Sequence, residues 1–314
     1  MNDQLDDPTV VILRREALAE GYDDRDIRDL VRSGVWKRIR RGAYTSKVLW
    51  DGSDEVGRHR LLARAVLRAA HPTAVLTHVS AVVEHGGATW GVDLGEVHLT
   101  RTDGKAGRRE AGVVHHCGGL DESEVTVVNG VRVSGVARSV VEMSTIAGLE
   151  SCLVTANWFL GHRLTTREVL ESYASRFRFW PGSLSNNLLV CLFDGRNMWP
   201  GEARMSYLLW RERLPGAVPQ YEVRDDAGNL IGIVDFAWPE LGVFLEFDGR
   251  IKYERLRREG ETLEEVILRE KRREEMICAR TGWVCIRITW EDLARPITTA
   301  RRIRTLLESR RPAA

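Results

Sequence analysis

The chain has 314 residues, a hydrophobic fraction of 43%, ten tryptophans and a formal net charge of +1. That length suits two or three domains, each able to bury a core, and the composition excludes a fibrous or wholly disordered chain. Because the charge is almost balanced, any nucleic-acid surface has to come from local basic clusters.

No apolar run approaches the roughly 20 residues that span a bilayer, and the opening MNDQLDD lacks the basic-then-apolar pattern of a signal peptide. The five cysteines, Cys117, Cys152, Cys191, Cys278 and Cys285, are scattered and lie mostly in apolar patterns. They read as buried free thiols of a reducing compartment. The expectation is a soluble, cytoplasmic protein without a membrane partner.

In chain order, VVILRREALAEGYDDRDIRDLVRSGVWKRIRRGAYTS reads as helix, turn, helix and a short hairpin. Asp23 suits the N-cap of the second helix, Ile27, Leu30 and Val31 recur at helical spacing, and Ser33-Gly34 stops it. WKRIRRGAYT then alternates Trp36, Arg38 and Arg40 against Lys37, Ile39 and Arg41, turning at Gly42 like a wing. Residues 1–48 thus form a candidate winged helix-turn-helix. It resembles the N-terminal winged helix of AbiEi-type antitoxins, transcriptional autoregulators of type IV toxin–antitoxin systems. The resemblance implies double-stranded DNA as a partner and a cognate toxin as a second one. Arg25, Arg28 and Arg32 on the second helix are placed to enter a groove, while Lys37, Arg38, Arg40 and Arg41 hold phosphates.

Residues 52–150 form a middle α+β region. EVGRHRLLARAVLRAAHPTAVLTHVSAVVEHGG reads as two helices separated by His71-Pro72, and EVHLTRTDGKAGRREAGVVHH as a hairpin with a basic tip. At that tip Arg101, Lys105, Arg108 and Arg109 suit phosphate contact or plain solvation equally. VTVVNGVRVSG is a second hairpin around Asn129-Gly130, followed by a helix. This order, with its THVSA and SGVARSVVEM elements, is also similar to the middle of actinobacterial antitoxin-like proteins. His78, His85, His98, His115 and His116 fall here without any metal-binding spacing and read as structural. Residues 151–197 read as a helical bridge.

The last segment, 198–312, carries the candidate chemistry. MWPGEARMSYLLWRERL has the form of a helix with Glu202 in its first turn, and LIGIVDF and VFLEFDG read as strands around a PELG turn. Strand alternation puts Asp235 on one face with Ile231 and Ile233, and Glu246 and Asp248 on one face with Phe244. Buried carboxylates are protonated, paired or bound to metal, so three at neighbouring strand ends suggest a cation site. A long amphipathic helix, a Thr281-Gly282 stop, the strand WVCIRIT and a basic helix follow.

The layout resembles the very-short-patch-repair-like endonucleases of the PD-(D/E)xK superfamily, found in many actinobacterial proteins as a domain of unknown function. The resemblance implies that Asp235 and Glu246 hold Mg2+, that Glu202 is the accessory helix glutamate, and that the reaction is phosphodiester hydrolysis. The chain departs from the motif at Asp248, which stands where the motif has lysine. Three readings follow: Lys252 reaches back into the site, Asp248 is itself a ligand, or the fold persists in an inactive autoregulator. The expected fold class is α/β, α+β overall: a winged helix-turn-helix, a middle α+β region and a nuclease-like mixed sheet flanked by helices.

Overall fold

The computed structural model describes residues 7, 10–105, 107–225, 227–249 and 261–311. It is an α+β chain in two compact units, residues 1–193 and 194–314.

The first unit opens with β1 (Ile12–Leu13), α1 (Arg14–Ala19), α2 (Asp24–Arg32), β2 (Trp36–Arg40) and β3 (Ala43–Ser46), with strand order β1-β3-β2. Two further helices follow, α3 (Lys47–Gly52) and α4 (Glu55–Ala69). Ala17, Ile27 and Tyr44 pack with Val31 and Trp36 inside the winged helix. Its other apolar face, Val11, Leu13 and Ala43, is buried against Leu61 and Ala65 of α4. The winged helix therefore shares a core with the region that follows it.

Beyond α4 lie β4 (Ala74–Leu76), α5 (His78–Glu84), β5 (Val97–Arg101), β6 (Arg108–Glu110), β7 (Val113–His116), β8 (Val125–Val128) and β9 (Val131–Ser134). They form a six-stranded mixed sheet of order β6-β7-β5-β4-β9-β8. Two sequence expectations fail here. Ala74–Leu76, read as the entry to a helix, is a fully buried central strand pairing antiparallel with β5 and parallel with β9. The segment after Val97 is not one hairpin: β5 pairs with β7 in parallel, and the hairpin is β6–β7. The Asn129-Gly130 hairpin is as expected, with φ of +50° and +73° at the turn, which its primed geometry requires. The helices α6 (Val136–Met143), α7 (Leu149–Gly161), α8 (Arg167–Arg176) and α9 (Asn186–Leu192) complete the unit. Cys152 to Asn157 and Phe159 of α7 are buried, so this stretch, read as a bridge, is packed into the first unit.

The second unit contains α10 (Pro200–Arg211), β10 (Val218–Arg224), β11 (Leu230–Trp238), β12 (Val243–Asp248), α11 (Leu263–Thr281), β13 (Val284–Thr289), α12 (Trp290–Ala294) and α13 (Pro296–Ser309). Its sheet runs β10-β11-β12-β13, antiparallel except for the parallel β12–β13 pair. Met205, Leu208 and Leu209 of α10 and Ala300, Ile303 and Leu307 of α13 pack on Phe236, Leu245, Phe247 and Ile288. Ile277 of α11 is buried with Val223 and Phe244 in a separate cluster.

The cysteines correct another expectation. All five are free, yet only Cys152 is buried; Cys117 and Cys191 are exposed and Cys278 and Cys285 lie between. No helix among the described residues is long and apolar enough to cross a membrane.

Candidate nucleic-acid interface and carboxylate site

The winged helix is fixed by local hydrogen bonds and one cluster of tilted aromatic rings. Asp23 accepts from the backbone N–H groups of Arg25 (2.6 Å) and Asp26 (2.8 Å), and Asp26 returns a carboxylate to Asp23 N–H at 2.8 Å. This satisfies the first amides of α2 from both sides. Trp36 lies between Tyr22 and Tyr44, at ring-centroid distances of 5.6 and 5.7 Å. The wing departs from simple alternation because the β2–β3 register shifts between Arg38 and Arg40. That bulge lets Ile39 pack against the Val11–Leu61 cluster.

The bulge leaves Lys37, Arg38 and Arg41 exposed and Arg40 half-buried. Arg25, Arg28 and Arg32 are exposed on α2, at spacings that share one helix face. Arg32 is paired with Asp29 at 3.0 Å. The other six cations make no close ion pair among the described residues. The neighbouring face of α2 is acidic: Asp26 and Asp29, with Glu20, line an open groove of about 600 Å³ beside Tyr22, Leu30 and Ser33. The sequence reading missed this charge division, although the DRDIRDLVR pattern contains it.

The middle region contains a buried polar cluster. His78 and His116 stack at 3.6 Å, and a ring nitrogen of His98 lies 2.8 Å from one of His116. His78 N–H donates to Glu142, and Arg138 pairs with both Glu142 and Glu124. Burial holds His98 neutral, its pKa down to about 3, and His116 follows at about 4. The same burial keeps His78 well below its ordinary value. Stacked rings turn their edges away from a common point, and no group of three possible ligands among the described residues could hold a metal ion.

In the second unit the predicted carboxylates fall on three neighbouring elements. Asp235 of β11 (6% exposed) accepts the Phe247 N–H at 2.7 Å. Glu246 of β12 (8% exposed), next to Phe247, pairs with Arg273 of α11 at 2.8 Å. Asp235 and Glu246 are thus brought together. Glu202 (7% exposed) sits in the first turn of α10, close to the Trp199 N–H. The start of that helix lies against β12, since a Cβ on Gly201 would stand 2.1 Å from the Phe247 ring. Asp248 is part-exposed and 3.8 Å from Arg287, the β13 residue in register with Glu246. Lys252 lies outside the described residues.

The residue that sequence reasoning missed is Arg273. It appears in the sequence as one charge of EKRREE on a helix with a solvated face. In the fold its Nη2 meets Glu246 at 2.8 Å and Glu270 at 3.1 Å, and its Nη1 donates to the Ile233 carbonyl. Burial alone lowers the hold of the guanidinium on its proton. The charges of Glu246 and Glu270 outweigh that and raise its pKa above the ordinary value. Arg287 also pairs with Glu274 at 2.6 Å. Glu246, Asp248, Glu270, Glu274, Arg273 and Arg287 line a cavity of about 20 Å³ with Phe247. With Asp235 close by, five carboxylates stand near two guanidiniums, but no three of them form a group that could hold a metal ion among the described residues. Mg2+ needs only one or two protein carboxylates, the rest of its shell being water and phosphate oxygens. Asp235 and Glu246 are the two carboxylates of that kind that the paired strands place side by side.

No curated protein matches the chain. Residues 10–47, which hold α1, α2 and the wing, match the profile of a family described as a transcriptional regulator, AbiEi antitoxin.

Proposed function

We propose that the chain is a DNA-binding regulator of antitoxin type, contacting duplex DNA through α2 and the wing. The observation that carries this reading is the set of six cations, Arg25, Arg28, Lys37, Arg38, Arg40 and Arg41, that make no close ion pair among the described residues and lie within the segment that matches the regulator profile. Cations not committed to carboxylates are available to phosphates. The arginine face of α2 meets the groove edge and the wing tracks the backbone. A toxin partner belongs to this reading. Fluorescence-anisotropy titration tests it, with one duplex from upstream of the coding sequence and one of random sequence. Tighter binding to the upstream duplex supports the regulator. Equal affinity removes autoregulation, and no binding to either removes the reading.

A second reading, metal-dependent phosphodiester hydrolysis in the C-terminal unit, is favoured by Asp235 and Glu246 lying side by side on the paired central strands β11 and β12. Asp235 and Glu246 would hold Mg2+. When bound, the ion neutralises phosphate charge and lowers the pKa of water. Phe247 N–H fixes the Asp235 carboxylate, and Arg273, itself paired with Glu270, fixes Glu246. Cleavage of supercoiled plasmid with Mg2+ or Mn2+, lost in Asp235→Ala and Glu246→Ala, is the expected result. No cleavage by the wild type would leave the regulator with an inactive nuclease-like unit.

A further inference from the structure

Two of the five cysteines face each other between α11 and the edge strand β13 of the second unit. α11 stops at a Thr281-Gly282 turn, where Gly282 (φ +68°) donates its N–H to the Cys278 carbonyl at 2.9 Å and Trp283 N–H donates to Thr281 Oγ1 at 3.1 Å. The chain then returns along the helix as β13, and Arg287 of the strand meets Glu274 of the helix at 2.6 Å. Two residues of strand advance about 6.8 Å and four of helix about 6 Å, so one step nearer the turn Cys285 stands opposite Cys278. Both are partly exposed, and both pack on the cluster of Val223, Phe244 and Ile277. Burial and then the charge of Glu274 raise both thiol pKa values, and the Cys285 N–H offsets part of this at Cys278. The Cys278 sulfur in turn acts on the Cys285 thiol.

We propose that Cys278 and Cys285 form a peroxide-operated clasp, open as two thiols in a reducing compartment and closed as a disulfide between α11 and β13 by a hydroperoxide. A disulfide needs Cα atoms roughly 4.4–6.8 Å apart, a separation met where helix and strand converge on their turn; one step further out, an arginine and a glutamate span the gap. In the first step the Cys278 sulfur bonds to one peroxide oxygen and the O–O bond breaks. The other oxygen leaves as water with the thiol proton, and Cys278 is a sulfenic acid. The Cys285 sulfur then bonds to the Cys278 sulfur, the S–O bond breaks, and the departing hydroxyl takes the Cys285 proton as a second water. The two thiols give up two electrons and the peroxide accepts both. Cys278 acts first because the Cys285 N–H stabilises its thiolate. Thiols held protonated react slowly at neutral pH and faster in alkali, and their sulfurs are poor leaving groups, so the closed bridge reopens slowly. Closure ties the helix that carries Arg273 and Glu274 to the strand that carries Arg287.

Trypsin separates the two cysteines, because cleavage after Arg280 leaves Cys278 in EEMICAR and Cys285 in TGWVCIR. The full-length wild type, Cys278→Ser and Cys285→Ser are treated with hydrogen peroxide at about pH 8, nearer the range in which thiols ionise. Free thiols are then alkylated, and the digests are read by mass spectrometry with and without dithiothreitol. The wild type should yield the two peptides linked to each other, released by dithiothreitol and formed faster as pH rises, with a higher Tm after oxidation. Neither variant should yield the linked pair, and dimedone should trap a sulfenic acid at Cys278 in Cys285→Ser. Both cysteines recovered alkylated after peroxide would overturn the proposal, as would a sulfinic acid at Cys278 of the wild type. Linkage to Cys117 or Cys191 instead, or linkage that appears only after unfolding in urea, would also overturn it.

Discussion

Substitution of Asp235 separates the structural role of its carboxylate from its metal role. The carboxylate accepts the Phe247 N–H at 2.7 Å inside the sheet, and its charge acts on Arg273. Asp235→Ala removes that acceptor and leaves a buried amide unpaired, at a cost of roughly 1–3 kcal/mol. For a unit of residues 194–314 that is a fall in Tm of roughly 3–6 °C per kcal/mol. Asp235→Asn keeps an amide oxygen for the same N–H and loses only charge, so its Tm in EDTA should lie close to that of the wild type. Bound metal stabilises by about 2.7 kcal/mol at a hundredfold excess over Kd. The wild type should therefore gain several degrees on Mg2+ addition, and neither variant should. Differential scanning fluorimetry in EDTA and in Mg2+ reads all three. If Asp235→Asn keeps the full Mg2+ shift, Asp235 is not a ligand and the carboxylate site is misassigned.

Two further outcomes are expected. Gly201→Ala puts a methyl group on the Phe247 ring, where three ring atoms lie within 2.6 Å of the added carbon. Overpacking of this kind costs about 1–3 kcal/mol, offset by about 1 kcal/mol of helix propensity; a raised Tm would contradict the contact between α10 and β12. The second concerns acid. With pKa values of about 3 for His98 and about 4 for His116, both are depressed below the unfolded value of about 6.5. Their contribution is thus present above pH about 6.5 and is lost as pH falls toward 4. For His98, 7% exposed, the slope is about 1.4 kcal/mol per pH unit, or about 2 kcal/mol between pH 6.5 and 5, and His116, more open to water, gives less. Urea titrations at pH 7 and 5 should show that fall, reduced in His98→Gln; equal stability at both pH values would contradict it.

What was legible in the sequence was what local physics decides. Asp23 before a periodic helix, Gly42 at the wing, Asn129-Gly130 between valines and Glu202 behind Pro200 all specify their own geometry within a few residues. Four features depend on partners far along the chain and were not legible. Ala74–Leu76 is too short to show a period and becomes a strand only because β5 and β9 flank it. The β5–β7 pairing is parallel, so no turn announces it. Arg273 looks like a solvated helix charge until β12 brings Glu246 against it, 27 residues earlier in the chain. The histidine cluster was hidden for the same reason, since His78, His98 and His116 come from three separate elements.

The measurement that bears most directly on the DNA-binding account is the salt dependence of duplex affinity for the wild type and for the triple variant Arg38→Gln, Arg40→Gln, Arg41→Gln. Each phosphate contact contributes about 0.9 to the slope of log K against log salt. Losing three should flatten the slope by up to about 2.7 and weaken binding by as much as about eightfold per contact at 0.1 M salt. A flatter slope with a smaller affinity for every duplex tested is the result predicted. An unchanged slope and affinity would show that the wing does not touch the phosphates, and would contradict the assignment of the nucleic-acid surface.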